Sequence, residues 1–429
     1  ELLAATRSAE GVTAPTKVAV KANSDFAFDL WRKLAEEKGN ADKNLFFSPY
    51  SISSALTMVA EGARGQTARE MGSVLGFPKA ALRVGADAQS IPWRTALIHS
   101  GQGELNRRFN REKKPYKLHV ANALWGEQTY RFRPAYLAAL KEPYGAALHP
   151  ADFSGNVDGE RQRINQWVEQ QTSGRIKKLI PDDVLDTDTR LVLTNAIFFK
   201  GDWLLQFDKK QTRTADFDTG RGKVKVKMMS VNDEAKAEGE KEHPFAYAKF
   251  DAAGKPVRNW RAKPALQVLE MPYKGRELSM IVMLPEQGGL EALQSSLTAS
   301  KLAGWIGHLR RGQVKVAFPK FKMETSLDLV PTLKAMGMPS AFKPGGFTGI
   351  SDEPTAYKLA ISDVLHKAFV EVTEEGTEAA AATAVVVKDE SASFKPVFRA
   401  DRPFLFVIRE NATGTVLFCG RVMNPSGGK

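Results

Sequence analysis

Apolar residues recur along this chain with two periods, and the change of period divides it. In "SDFAFDLWRKLAEEKG", Phe26, Leu30 and Leu34 stand four apart. With Ser24 or Asp25 as cap and Gly39 as stop, that spacing predicts a helix. "SPYSISSALTMVAEGA" predicts a second, with Ser48 just ahead of Pro49 in its first turn. "GERQRINQWVEQQTSG" predicts a third, ending near Gly174. Further on the pattern changes. "TRLVLTNAIFFKGDW" is a long run of β-branched and aromatic residues, and it reads as a strand buried on both faces. "ALQVLEMPYKGRELSMIVMLP" reads as two strands joined by a turn at Tyr273, Lys274, Gly275 and Arg276. "VKVAFPKFKMETSLDL" and "VLHKAFVEVTEEG" alternate as strands do, and "RPFLFVIRENATGTVLFCGRVMNP" closes as a hairpin around Glu410 to Gly414. Helices come early and strands dominate late, without repeats or a βαβ rhythm. The fold class is α+β.

Composition narrows this little. The 429 residues are 43% hydrophobic and 26% charged, as in an ordinary soluble globular protein. Unbroken apolar stretches stay below the length of a membrane span, so none is expected. The opening "ELLAATRSAEGVTAPTKVAVKAN" is small and polar, which predicts a flexible leader over residues 1–22 and a fold that begins near Asn23. Residues 426–429 form a tail. The chain opens on Glu1 rather than Met, and Asn411-Ala412-Thr413 is a glycosylation sequon. Both lead to the expectation of an exported, extracellular protein. The single cysteine, Cys419, lies in "TVLFCGRV" and reads as a buried thiol, since it has no partner for an internal disulfide.

The net charge of +12 favours polyanions such as glycosaminoglycan or DNA. Much of it falls in "RRFNREKKPYK", where Arg107, Arg108, Arg111, Lys113, Lys114 and Lys117 are either a solvated basic loop or a polyanion site. A search for catalytic chemistry finds no G-x-S-x-G, H-E-x-x-H, C-x-x-C or phosphate-binding loop. Histidines 99, 119, 149, 243, 308 and 366 show no metal-ligand spacing. Neither an enzyme nor a metal or cofactor is expected.

One stretch is unusual. "EEGTEAAAATAVVVKDES", from Glu374 to Ser391, follows a strand pattern and then alternates with period two. One face carries Thr377, Ala379, Ala381, Thr383, Val385 and Val387, with neither charge nor bulk. The other carries Glu378, Ala380, Ala382, Ala384, Val386 and Lys388. The first face suits insertion between existing strands, where larger side chains would overpack. Alanine and glutamate are nevertheless poor strand formers, so an Ala-rich linker or an exposed helix fits the same residues.

Over almost its whole length, Asn23 to Pro425, the chain resembles a serpin. "NLFFSPYSISSALTMVAEGARGQTAREM", "INQWVEQQTSGRIKKLI", "LTNAIFFKGDW", "HKAFVEVTEEGTEAAAATAVVV" and "DRPFLFVIRENATGTVLFCGRVMNP" resemble the family's blocks, in order. "KPGGFTGIS" departs from the family, which usually has an acidic residue before the phenylalanine. The resemblance implies one domain over residues 23–425, with a five-stranded central sheet, two further sheets and eight or nine helices. It implies an exposed reactive-centre loop over about residues 374–400. It also implies a monomeric suicide inhibitor. A target serine protease cleaves the loop and forms an acyl-enzyme, and the freed loop inserts as a new strand. On this resemblance Gly376 is the hinge glycine, expected to serve a turning backbone. The inserting hinge runs through Thr377, Glu378, Ala379, Ala380, Ala381, Ala382 and Thr383. Ser48, Ser51, Asn195 and His366 match the shutter beneath the sheet, and Trp203 the breach where insertion starts. The family's spacing from Gly376 puts the scissile bond at Glu390-Ser391, while counting back from "DRPF" gives a site near Ala392. Val387 and Lys388 are alternatives that suit elastase-like, trypsin-like or papain-like proteases. A cysteine-protease inhibitor, or a non-inhibitory chaperone or carrier, are the competing functions.

Overall fold

Thr13 starts the fold. Its side-chain oxygen accepts from the Thr16 amide and Pro15 occupies the first turn, so helix α1 runs Ala14–Glu36. The boundary expected near Asn23 is thereby corrected, because Ser24 and Asp25 lie mid-helix and Ala19 and Ala22 are already buried. Ala19 is small for a reason. A Cβ on Gly101 of the crossing helix would meet the Pro15 carbonyl oxygen at 2.2 Å and the Ala19 Cβ at 2.9 Å. The computed structural model describes residues 11–86, 90–145, 148–231, 243–259, 261–352, 358–377 and 396–427.

Helix α2, Pro49–Ala60, begins where expected, with Ser48 Oγ accepting from the Ser51 amide at 3.1 Å. Every residue of α2 is buried, which places it at the centre of the molecule. The other helices are α3 (Gly65–Val74), α4 (Thr95–Asn110), α5 (Pro134–Tyr144), α6 (Val157–Gln171), α7 (Leu290–Ser296), α8 (Ala299–His308) and α9 (Val330–Met336). Helix α6 is the third one expected from the sequence. Among the described residues no helix is long and apolar enough to cross a membrane.

The strands form three sheets. One has seven strands, in the order β1 (Leu45–Phe47), β17 (Val416–Val422), β16 (Phe404–Glu410), β9 (Leu278–Pro285), β8 (Leu266–Pro272), β7 (Ala246–Phe250) and β10 (Arg310–Arg311). The hairpin β8–β9 turns through Gly275 and Arg276, both with positive φ, as a tight antiparallel turn requires. A four-stranded sheet orders β15 (Val397–Arg399), β11 (Lys315–Pro319), β6 (Lys223–Val231) and β5 (Arg213–Asp218). The third sheet orders β12 (Phe321–Asp328), β13 (Asp363–Val372), β14 (Gly376–Thr377), β4 (Leu191–Asp202), β2 (Tyr116–Glu127) and β3 (Leu148–Ala151). Without the two-residue β14 it is the expected five-stranded sheet. "VKVAFPKFKMETSLDL" is not one element: the chain leaves the four-stranded sheet at Pro319 and enters the third at Phe321.

Strand β4 is buried along nearly its whole length, as its apolar run predicts. Helix α6 covers the front of its lower half, where Ile164 and Val168 pack on Trp125, Val192, Ala196 and Leu365. Helix α2 lies behind, and the amide of its cap residue Ser48 and the Ser51 hydroxyl reach the strands at the same level.

Candidate functional site

The third sheet is paired below and split above. Strands β13 and β4 run parallel, in register from Asp363 opposite Val192 to Phe369 opposite Phe198. Above that level the direct pairing stops. Strand β14 sits between them, antiparallel to both, with Thr377 opposite Val372 on one side and Gly201 on the other. The first two residues after the β13 turn therefore already wedge the sheet open.

Local geometry fixes that wedge. Thr377 is 1% exposed and its hydroxyl lies 2.8 Å from the Tyr273 hydroxyl. A Cβ on Gly376 would fall 2.1 Å from the Gly201 carbonyl oxygen and 2.6 Å from Asp202 Cα. The φ of Gly376 is not positive, so the glycine serves close approach to β4, and the expected turning role is corrected. Trp203 stacks on Tyr273 at 4.6 Å, donates from Nε1 to the Thr373 carbonyl at 3.1 Å, and its amide donates to the Glu375 carbonyl at 2.8 Å. Glu374 accepts from Lys320 Nζ at 2.7 Å and Thr212 Oγ1 at 2.8 Å. Glu375 accepts from Thr373 Oγ1 at 3.0 Å and pairs with Lys209. Burial pushes both carboxyls up, but these hydrogen bonds outweigh it and hold both below the ordinary carboxylate range. Their stabilisation is present above the ordinary carboxylate pKa and is lost as pH falls through the lowered values.

Replacing Glu374 by lysine sets two cations together and leaves Thr212 without its acceptor. We expect Glu374→Lys to destabilise the intact protein by roughly 1–3 kcal/mol. Thermal unfolding, with limited proteolysis around residue 374, reads this as a lower melting temperature and faster hinge cleavage.

Lower down, a polar cluster ties the sheet to α2. Ser48 Oγ donates to the Leu417 carbonyl at 2.6 Å. Ser51 Oγ donates to Asn122 Oδ1 at 2.7 Å, and Asn195 Nδ2 donates to both Ser51 Oγ and Asn122 Oδ1 at 2.6 Å. The Ser48 amide donates to His366 Nε2 at 3.1 Å, and His366 Nδ1 bonds Asn195 Oδ1. Those partners fix the imidazole as the neutral tautomer with its proton on Nδ1. Protonation would turn Nε2 towards another N–H, and burial already pushes the pKa down to about 3. An unfolded histidine takes a proton near pH 6.5, and the folded one resists until about 3. Folded stability contributed by neutral His366 is thus full above about 6.5 and falls with pH across that window, by up to about 1.4 kcal/mol per pH unit. Urea unfolding between pH 7 and 4 should show this slope, reduced by one proton in His366→Gln.

Ser48, Ser51, Asn195 and His366 come together in one cluster, and Trp203 stands beside the split. Asn122, Tyr273, Lys209, Thr212 and Lys320 were not anticipated, because no local pattern marks a side chain whose partner is distant in sequence. The loop residues Glu378 to Thr383, Val387, Lys388, Glu390, Ser391 and Ala392 lie outside the described residues. The basic run disperses. Arg107 pairs with Glu142 at 2.7 Å, Arg108 with buried Glu410 at 2.6 Å, and Arg111 with Glu277. Lys114 donates to the Phe109 carbonyl, and Lys113 and Lys117 are exposed. Asn411 Nδ2, the nitrogen a glycan would occupy, donates to the Arg276 carbonyl at 2.8 Å and Ser279 Oγ at 2.9 Å. The sequon therefore lends no support to export. Gly346, where the loop departs from the family, abuts Thr67: a Cβ there would meet Thr67 Oγ1 at 2.3 Å.

The chain has a three-sheet α+β fold in which two parallel strands of the third sheet are split at one end by a third segment. A family model described as Serpin (serine protease inhibitor) matches residues 21–425, and the chain belongs to the serpin family. It is 41% identical over 410 residues to human Serpin B4, covering 94% of this chain and 99% of that protein. It is 39% identical over 412 residues to the leukocyte elastase inhibitor of Sus scrofa, covering 94% and 98%. Human thyroxine-binding globulin, solved in complex with thyroxine, aligns with a TM-score of 0.79 at 31% identity, over 96% of this chain and 100% of that one.

Proposed function

We propose that the protein is a suicide-substrate inhibitor of serine proteases that traps its target by completing the split sheet. The observation that carries this is the wedge: Gly376 and Thr377 are paired to both β4 and β13 while those strands still pair with each other below. Continued in the same register, the loop places Ala379 opposite Phe199 and Val370, Ala381 opposite Ile197 and Ala368, and Thr383 opposite Asn195 and His366. The last pairs formed set Val386 opposite Val192 and Asp363, and Val387 opposite Leu191.

This register explains the composition. The inward neighbours Phe199, Val370, Ile197 and Ala368 are all buried, so alanine and threonine fit where larger residues would overpack. Insertion replaces one parallel ladder by two antiparallel ladders, and antiparallel pairing is the more stable per residue. Each added hydrogen bond nets about 0.5–1.5 kcal/mol, and a strand's worth formed together decides the equilibrium. An intact loop is tethered at both ends, which opposes its insertion while β4 and β13 stay paired. In the proposed reaction the protease serine attacks the Glu390 carbonyl, the 390–391 bond breaks, the Ser391 amine leaves and an ester to the protease remains. The freed strand then inserts before water reaches the ester. Cleavage after Glu390 leaves three residues beyond the last paired position, Val387, to reach the bound protease.

The likeness to a leukocyte elastase inhibitor supports inhibition, and that to thyroxine-binding globulin keeps a carrier reading in view. The test is a panel of Glu-specific, trypsin-like, elastase-like, subtilisin-like and papain-like proteases. Denaturing gels should show a covalent complex with at least one serine protease, and the released peptide should begin at Ser391. Complexes only with the papain-like enzyme would make it a cysteine-protease inhibitor. Cleavage without complex in every lane would favour the carrier.

A further inference from the structure

A row of charges crosses the front of the third sheet at the level of the split. Lys117 on β2 lies directly opposite Lys200 on β4, a like-charge pair that antiparallel sheets disfavour. Neither lysine pairs with a described carboxylate. On the other side of the split Glu371 on β13 lies opposite Lys322 on β12, whose ammonium sits 5.3 Å from the Phe369 ring. The row holds three lysines against one carboxylate. Nearby His119, stacked on Phe198, has its pKa lowered by burial and then by Lys114 and Lys117, so the local field is positive.

The next residue to enter the sheet meets that row. One step beyond Thr377 opposite Gly201 and Val372 is position 378, opposite Lys200 on one side and Glu371 on the other. Thr377 faces inward, so the side chain at 378 faces the same way as Lys200. Residue 378 is Glu378, the one acidic side chain between Gly376 and Lys388. Lys200 and Lys117 attract it, and Lys322 offsets the repulsion from Glu371.

We infer that Lys200, backed by Lys117, is an electrostatic receiver for Glu378 and positions the first step of loop insertion. The inference rests on the inhibitory reading above. Among the described residues the lysine pair has no carboxylate partner, so a carboxylate that enters beside it relieves their mutual repulsion. The device therefore favours the inserted state over the intact one and speeds the step that competes with ester hydrolysis.

A charge-swap cycle tests this: Lys200→Glu, Glu378→Lys and the double variant. Each single variant should raise the ratio of cleaved inhibitor to trapped protease by about two- to fivefold, the range of an exposed ion pair. The double variant should return it towards the parent value, and high salt should shrink all differences. A second reading uses chains nicked once in the loop: single variants should melt lower than the nicked parent, while the intact forms melt at or above the intact parent. Unchanged partitioning and nicked melting in Lys200→Glu, or a double variant no better than the sum of the singles, would overturn the inference and leave the inhibitory reading standing. A parent that neither traps a protease nor gains stability on nicking would overturn both.

Discussion

Ala381→Arg is expected to convert the protein from a trap into a substrate. The intact protein should fold and melt as the parent does, and the target protease should still cut the loop. Gels should then show nearly all of the inhibitor cleaved and almost no covalent complex. The reason is the register. Ala381 lies on the inward face, opposite Ile197 and Ala368, and both are fully buried. Seating a guanidinium there without a partner costs several kcal/mol, so insertion stalls and water releases the enzyme. Ala382→Arg is the control. Its side chain falls on the front face, level with Ala196 and with Lys367, a long cation that already finds Glu324 and the Lys177 carbonyl as partners on that face. Its trapping should exceed that of Ala381→Arg by a wide margin. Equal loss in the two variants would mean that the alternation has been read wrongly.

The second large effect is expected at Asn195. This side chain bonds Ser51 Oγ, Asn122 Oδ1 and His366 Nδ1, all in a buried cluster. Asn195→Ala leaves the His366 Nδ1 proton without its acceptor in a buried site, at about 1–3 kcal/mol, and leaves Ser51 and Asn122 only the bond between them. It also unties β4 from both α2 and β13 at the level the incoming Thr383 must reach. Intact Asn195→Ala should melt several degrees lower. It should also pass spontaneously into inactive forms, since an opened pair of strands offers free edges to its own loop or to another copy. Incubation at moderate temperature followed by native gels and residual trapping reads this. The nicked form should lose less than the intact form, because insertion separates Asn195 from His366 in any case.

Much of the fold was legible because its elements are locally consistent. The α2 helix announces itself through Ser48, Pro49 and an apolar run, and the structure keeps that cap. The β8–β9 turn is written in Gly275 and Arg276, and the doubly buried β4 in an apolar stretch with no alternation. The failures have physical causes. The start of α1 lies at Thr13 and Pro15, but alanines and valines after it give a weak period, so the stronger apolar spacing from Phe26 onward drew the boundary too late. Pro319 and Lys320 separate two strands that share one alternation but belong to different sheets, and period-two patterns carry no sheet identity. The basic run looked like one patch because Glu142, Glu277 and Glu410 are remote in sequence yet lie against its arginines. The split itself was not readable as geometry. Its hinge composition gave the ability to become a strand, whereas the wedge depends on Gly376 against Gly201, Thr377 against Tyr273, and Glu374 against Lys320.

The central claim is that cutting the loop lets it complete the sheet, and it can be tested without knowing the natural target. A protease that merely nicks the chain once between residues 383 and 396 supplies the sample. The measurement is the melting temperature of the nicked chain against the intact chain, with amide exchange followed in β4 and β13. The account predicts that the nicked chain melts well above the intact one and that exchange slows along Leu191–Asp202 and Asp363–Val372. A nicked chain that melts at or below the intact temperature, with those strands no better protected, would contradict it.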